Sequence, residues 1–307
     1  MVNPENGMQS VTPATVLGEI ATAVPEDCRK HIIVVGSLAA GYHYRDQLKN
    51  MGVRTKDADC LLSPRVEAIK AGIDITERLL ESGWTFHGTM EHPDPGKAST
   101  ADDALPAVRL SPPRPSQWFI ELMTVPEDAS QRGRQWARLT TSHGHFGLPS
   151  FGFIGLTNLD PISTDFGISI ARPEMMALAN LLEHPVIGKD TMSSGFADRM
   201  DIKRSNKDLG RVLAIARLAV GGDEDALLAW SRRWKDALQE RFPAEWCELA
   251  GQVGDGLRAL LASEQDFEQA FYTCANGLLA LRPPTLIQLR IVGRRLLQDA
   301  IEPLEDV

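Results

Sequence analysis

The chain has 307 residues, 43 % hydrophobic and 24 % charged. That composition excludes a collagen-like, coiled-coil or largely disordered protein and leaves room for about two domains of ~150 residues each. A net charge of −9 argues against coating of nucleic acid through a broad basic surface. No stretch reaches the roughly 18 apolar residues of a membrane helix, and the first ten residues carry Glu5 and no apolar run. The cysteines at 28, 60, 247 and 274 lie far apart without CxxC spacing, so neither a disulfide framework nor a zinc site is expected. The expectation is a cytoplasmic protein with no membrane association.

In chain order, Ala14 to Val24 reads as a short helix closed by Pro25. His31 to Val35 is an apolar run ending in Gly36-Ser37, the pattern of a buried strand meeting a turn. Leu38 to Met51 reads as a helix stopped by Gly52, and Val53 to Leu62 as a second strand. Ser63-Pro64 fits a helix start, with Ser at the N-cap and Pro in the first turn. Ile69, Ile73, Thr76 and Leu80 then recur at helical spacing up to Gly83. His92 to Asp103 is a Pro/Asp/Gly-rich loop, Val108 to Leu110 and Gln117 to Val125 read as strands, and Phe146 to Leu159 reads as irregular. Phe166 to Ala171 reads as the last strand. From Arg172 helical patterns dominate, with Pro173, Pro243 and Pro283-Pro284 where helices should begin. This order predicts an α+β fold: a small mixed-sheet core with flanking helices over 1–170, then an all-helical domain over 171–307.

Three elements carry candidate chemistry. Asp57 and Asp59 are alternate residues on one expected strand and so share a face. Glu121 sits between Ile120 and Leu122 on a later strand, so its carboxylate faces one side alone. Side-by-side carboxylates repel unless a cation lies between them, and hard oxygen ligands suit Mg²⁺ or Mn²⁺. If the strands are neighbours, three carboxylates can clamp two metals ~4 Å apart for displacement at phosphorus. Gly36 lets the backbone approach a phosphate, and Ser37 with the first helical N–H groups offers donors to an anion. The other reading of the same acids is ion pairing with Arg54, Lys56 or Arg114.

Strand–Gly36-Ser37–helix, then Asp57-Ala58-Asp59, then a lone Glu121 resembles the nucleotidyltransferase (polymerase-beta-like) superfamily. Arg54-Thr55-Lys56-Asp57-Ala58-Asp59, with Arg172-Pro173-Glu174 and Lys207-Asp208-Leu209, is more narrowly similar to the abortive-infection, toxin-type nucleotidyltransferases. The resemblance implies that the mixed-sheet core is a nucleotidyltransferase core. Asp57, Asp59 and Glu121 would be the catalytic metal ligands, and Gly36 and Ser37 would hold the β- and γ-phosphates. It implies a Mg²⁺- or Mn²⁺-dependent enzyme that moves a nucleoside monophosphate from an NTP to an acceptor hydroxyl and releases pyrophosphate. The acceptor would be a tRNA 3′ end, a protein or a small molecule, and a cognate antitoxin-like partner is implied. The alternative is an inactive nucleotide-binding or scaffold protein of the same fold.

Two features depart from the pattern. Nineteen residues separate Ser37 from Asp57, a long gap, and Asn180 stands near where the family's helix carries a phosphate-contacting lysine. Lys189 and Lys207 are the substitutes. They belong to the stretch from Lys189 to Arg217, which holds seven basic residues against four acidic ones. Arg204, Lys207 and Arg211 fall on one helical face there, either as a basic wall toward nucleotide or acceptor, or as a solvated face paired with Asp201 and Asp208. His143-Gly144-His145 reads as ordinary loop, and Trp230 and Trp234, four apart, as packing residues.

Overall fold

The computed structural model describes residues 10–114, 116, 118–128, 130, 132–193 and 201–306. The protein is mixed α+β and folds as two units. One comprises Thr12–Ala39 and Thr55–Arg172; the other comprises Ala40–Arg54 and Pro173–Val307 with the N-terminal residues through Val11. The change of texture in the sequence predicts one division near residue 170. In the structure the chain passes between units after Val11, Ala39, Arg54 and Arg172. Among the described residues, no helix is long and apolar enough to cross a membrane.

The first unit is built on a seven-stranded mixed sheet in the order Ile162–Ser163, Ser169–Ile170, Ile32–Val34, Asp57–Leu62, Phe119–Thr124, Arg109–Ser111, Thr85–Phe86. Asp57–Leu62 runs antiparallel to Ile32–Val34 and parallel to Phe119–Thr124. The side-chain period of two decides which face is which. Ala58, Cys60 and Leu62 are buried on one face. Helix Arg65–Glu81 covers that face with Ala68, Ala71, Gly72, Ile75 and Leu79; a Cβ on Gly72 would meet Leu62 Cδ1 at 3.3 Å and Leu139 Cδ1 at 3.0 Å. Each fully buried Ile or Leu here contributes about 1.5–3 kcal/mol. Asp57 and Asp59 therefore project from the opposite face, where both are half-buried. Leu61, on their own face, is fully buried, so the strand is open on that face only at its N-terminal end.

Several elements differ from the sequence reading. The helix expected over 38–51 runs Gly36–His43 and gives way to turns, with Lys49 and Asn50 at positive φ. The strand expected over 53–62 is two strands, Val53–Arg54 and Asp57–Leu62, in different units. Ser63 does not cap the following helix: Pro64 holds the N-cap, and Ser63 Oγ accepts a hydrogen bond from Asn158 Nδ2 at 2.9 Å. The segment read as irregular from Phe146 is half of a hairpin, Gln135–Thr141 paired with Gly144–Ser150.

The second unit is mostly helical, with Arg204–Gly222 as its hub. Leu209, Val212, Leu213 and Ile215 of that helix are fully buried. Helices Pro173–Glu183, Glu264–Asn276 and Leu286–Leu296 pack on it. It is not all-helical: Thr191–Ser193 pairs with Asp201–Lys203, and Ser10–Val11 with Val53–Arg54. Trp230 and Trp234 are buried with ring centroids 5.5 Å apart, and Trp234 Nε1 donates to the Glu174 carbonyl at 2.8 Å.

Candidate functional site

The strand register brings the acids together. Asp59 stands opposite Glu121 in the parallel ladder, and Glu121 stands opposite Arg109 in the antiparallel ladder beyond it. Register partners on adjacent strands share a face, so Asp59, Glu121 and Arg109 form a row across three strands. Asp57, two residues before Asp59, lies on the same face opposite Phe119.

Arg109 supplies the positive charge. Its Nε donates to Glu121 Oε2 at 2.6 Å, with the Glu121 side chain 11 % exposed and that of Arg109 30 % exposed. Burial works to lower the Arg109 pKa. It is outweighed by the hydrogen bond and charge of Glu121 and by the charges of Asp57 and Asp59, so the guanidinium is held above its ordinary value. Three carboxylates thus act on one cation. Arg54, Lys56 and Arg114 were the cations weighed from the sequence. The alternation Val108-Arg109-Leu110 puts Arg109 on one face of a short strand but does not name its partner, which the antiparallel register sets.

Thr55 sets the rotamer of Asp57. Its hydroxyl donates to Asp57 Oδ1 at 2.8 Å, and Thr55 is itself buried. Gly36 sits at the end of strand Ile32–Val34, at φ +75°. A Cβ there would lie 2.9 Å from Asp59 Oδ2, so the carboxylate occupies space only a glycine leaves. Ser37, half-buried, stands in the first turn of helix Gly36–His43. The five expected residues Gly36, Ser37, Asp57, Asp59 and Glu121 therefore belong to one sheet unit.

An aromatic pair borders the row. His87 stacks on Phe119 at 4.2 Å, and Arg109 lies 5.9 Å from the same ring. His87 Nδ1 is 3.0 Å from Ser111 Oγ. Burial, then the charges of Arg109 and Lys56, push the His87 pKa down, which keeps the imidazole neutral at pH 7.

The remaining candidates belong to other elements. Lys189 and Lys207 belong to the helical unit, Lys189 exposed and Lys207 half-buried; Arg199 lies outside the described residues. The Lys207-Asp208 and Pro173-Glu174 motifs both turn inward at their acids. Asp208 is 3.0 Å from His184 Nε2, 3.8 Å from Arg211 and 4.0 Å from Arg204. Glu174, with a side chain 6 % exposed, pairs with Arg233 at 2.5 Å. Asp208 thus sits between Arg204 and Arg211 of the basic helical face. His145 Nδ1 is 3.1 Å from Thr140 Oγ1 within the hairpin. Cys28, Cys60 and Cys274 are buried free thiols; Cys247 is an exposed one.

Arg109 is a stand-in that tests whether these acids suit a cation. Glu121 already binds one positive charge through a carboxylate oxygen, the donor type Mg²⁺ and Mn²⁺ prefer. Among the described residues no three His, Cys, Asp or Glu side chains are grouped as a metal set, and Glu121 is turned to Arg109. Compared with known proteins, the chain matches no family model, no curated protein and no solved structure.

Proposed function

We propose that this protein is a metal-dependent nucleotidyltransferase, moving a nucleoside monophosphate from an NTP to an acceptor hydroxyl with release of pyrophosphate. The observation that carries it is the pairing of Asp59 with Glu121, two residues on from Asp57, beside the glycine turn at Gly36. Asp57, Asp59 and Glu121 would hold a divalent cation, which supplies charge neutralisation at phosphorus and activates the acceptor oxygen. Thr55 keeps Asp57 in one rotamer, so that acid is preorganised. The Gly36 turn and the first N–H groups of helix Gly36–His43 offer donors to phosphate oxygens, with the Ser37 hydroxyl beside them. The acceptor would be an RNA 3′ end, a protein or a small molecule.

Turnover of α-labelled NTPs with Mg²⁺ or Mn²⁺ tests this. Pyrophosphate release by the wild type, abolished in Asp59→Asn, is expected; its absence with all four NTPs across those three acceptor classes would overturn the reading. The Arg109–Glu121 ion pair favours a second reading, a nucleotide-binding protein of the same fold without turnover. That reading keeps Mg²⁺-NTP binding in titration calorimetry and loses pyrophosphate release in the turnover assay.

A further inference from the structure

We propose that Arg109 is a resident counter-cation that a divalent metal must displace from Glu121, so that this arginine sets the metal affinity of the carboxylate row. The inference rests on the metal-site reading above and adds a residue and a direction to it.

Four observations lead there. Arg109 is the register partner of Glu121 and bonds it side-on through Nε at 2.6 Å. Asp57 and Asp59 act on the same guanidinium, although neither is on an adjacent strand to Arg109. Glu121 is 11 % exposed, so its charge is only weakly screened by water and needs a partner at all times. While bonded to Glu121, the Arg109 guanidinium already lies 5.9 Å from the Phe119 ring, on the side of Glu121 toward Asp57, a ring that also carries the stacked His87. A long side chain with one partner to leave and an aromatic face beside it can swing without being expelled into bulk water.

Two cations cannot share the Glu121 oxygens without repulsion. Arg109 holds Oε2 alone, and on this proposal the repulsion makes metal entry give up the Arg109–Glu121 bond, which metal departure restores. Arg109 acts through Glu121 and is a positioning residue. It aims the acid across the row while no metal is bound, and its charge opposes the repulsion among the three carboxylates. The balance is an exchange of one ion pair for another.

The test is direct binding of Mn²⁺ alone, read by electron paramagnetic resonance of free Mn²⁺, with Tb³⁺ luminescence as a second probe. Arg109→Gln is expected to tighten Mn²⁺ binding by about tenfold, because a neighbouring unit charge shifts cation affinity by an order of magnitude or more before screening. Arg109→Lys keeps the competing charge and is expected to bind as wild type does. A purely structural arginine predicts the reverse: Arg109→Gln would weaken binding along with the fold. If Arg109→Gln is poorly folded, Phe119→Leu keeps Arg109 and the acids, removes the ring that Arg109 and His87 share, and is expected to weaken Mn²⁺ binding, whereas His87→Ala, which removes only the stacking partner, is not. Equal Mn²⁺ affinity in wild type and Arg109→Gln would overturn the displacement and leave the carboxylate site standing. No Mn²⁺ or Tb³⁺ binding by any of these proteins would overturn both.

Discussion

The carboxylate of Asp59 rests where a side chain on residue 36 would begin: its Oδ2 is 2.9 Å from the position of a Cβ on Gly36. Gly36 also holds φ +75°, a conformation that costs an ordinary residue about 1–2 kcal/mol. Gly36→Ala should therefore lower stability by at least about 1–2 kcal/mol in urea unfolding and displace Asp59 as well. At a temperature where the variant is folded, the thermal shift produced by Mg²⁺ and NTP in the wild type should be lost. A retained shift would mean that the close fit of Asp59 against Gly36 is irrelevant to ligand binding.

Asp57 stands in the same field but has a different neighbour, the Thr55 hydroxyl at 2.8 Å. Asp57→Asn keeps an oxygen to accept that hydrogen bond and removes one of three negative charges around Arg109. The metal-free variant should melt within about 0.5 kcal/mol of wild type, because lost repulsion and lost attraction to Arg109 oppose each other. With Mg²⁺ and NTP at a hundred times Kd, wild type should gain about 2.7 kcal/mol and the variant almost none. Paired thermal melts measure both. A strong loss of stability without ligand would make Asp57 a structural partner instead.

The row of acids was legible because strand alternation is a strict rule. Asp57-Ala58-Asp59 and Ile120-Glu121-Leu122 each assign a carboxylate to one face, and the ladder makes those faces the same. Arg109 was not legible as the partner. It lies twelve residues from Glu121, and only the antiparallel register fixes that pair. The hairpin from Gln135 to Ser150 was hidden for another reason. Gly144, Gly147 and Pro149 lie in its second strand and mask the alternation of Phe146 and Leu148, which are fully buried. The single division near residue 170 followed a change of texture from strands to helices. A contact pattern in which residues 40–54 join the helical unit leaves no local mark.

Ser37 is half-buried in the first turn of helix Gly36–His43. Ser37→Ala should change stability by no more than about 0.5 kcal/mol, as surface-accessible substitutions do. It should weaken Mg²⁺-NTP binding by roughly tenfold, the worth of one hydrogen bond to a charged oxygen. Titration calorimetry with Mg²⁺-ATP and Mg²⁺-GTP, beside a urea titration, separates the two quantities. A destabilised variant that binds normally once folded would make Ser37 a residue of the helix start alone.

In the helical unit, Asp208 gives a stability change with a defined direction in pH. Burial works to raise its pKa. The hydrogen bond from His184 and the charges of Arg211, Lys207 and His184 outweigh it and bring the carboxyl down from 3.8 to about 2. A group depressed on folding stabilises the protein above its unfolded pKa and loses that contribution as pH falls toward the folded value. The contribution is about 2 kcal/mol, full above about pH 5 and declining between about pH 4 and 2. Asp208→Asn should therefore be about 2 kcal/mol less stable than wild type at pH 6, measured by urea unfolding. The gap should narrow as the pH is lowered from 4 to 3, because only the wild type has that carboxylate to protonate. A gap that stays constant from pH 6 to 3 would mean that Arg211, Lys207 and the His184 hydrogen bond do not hold Asp208 ionised, and that the variant is destabilised by packing alone.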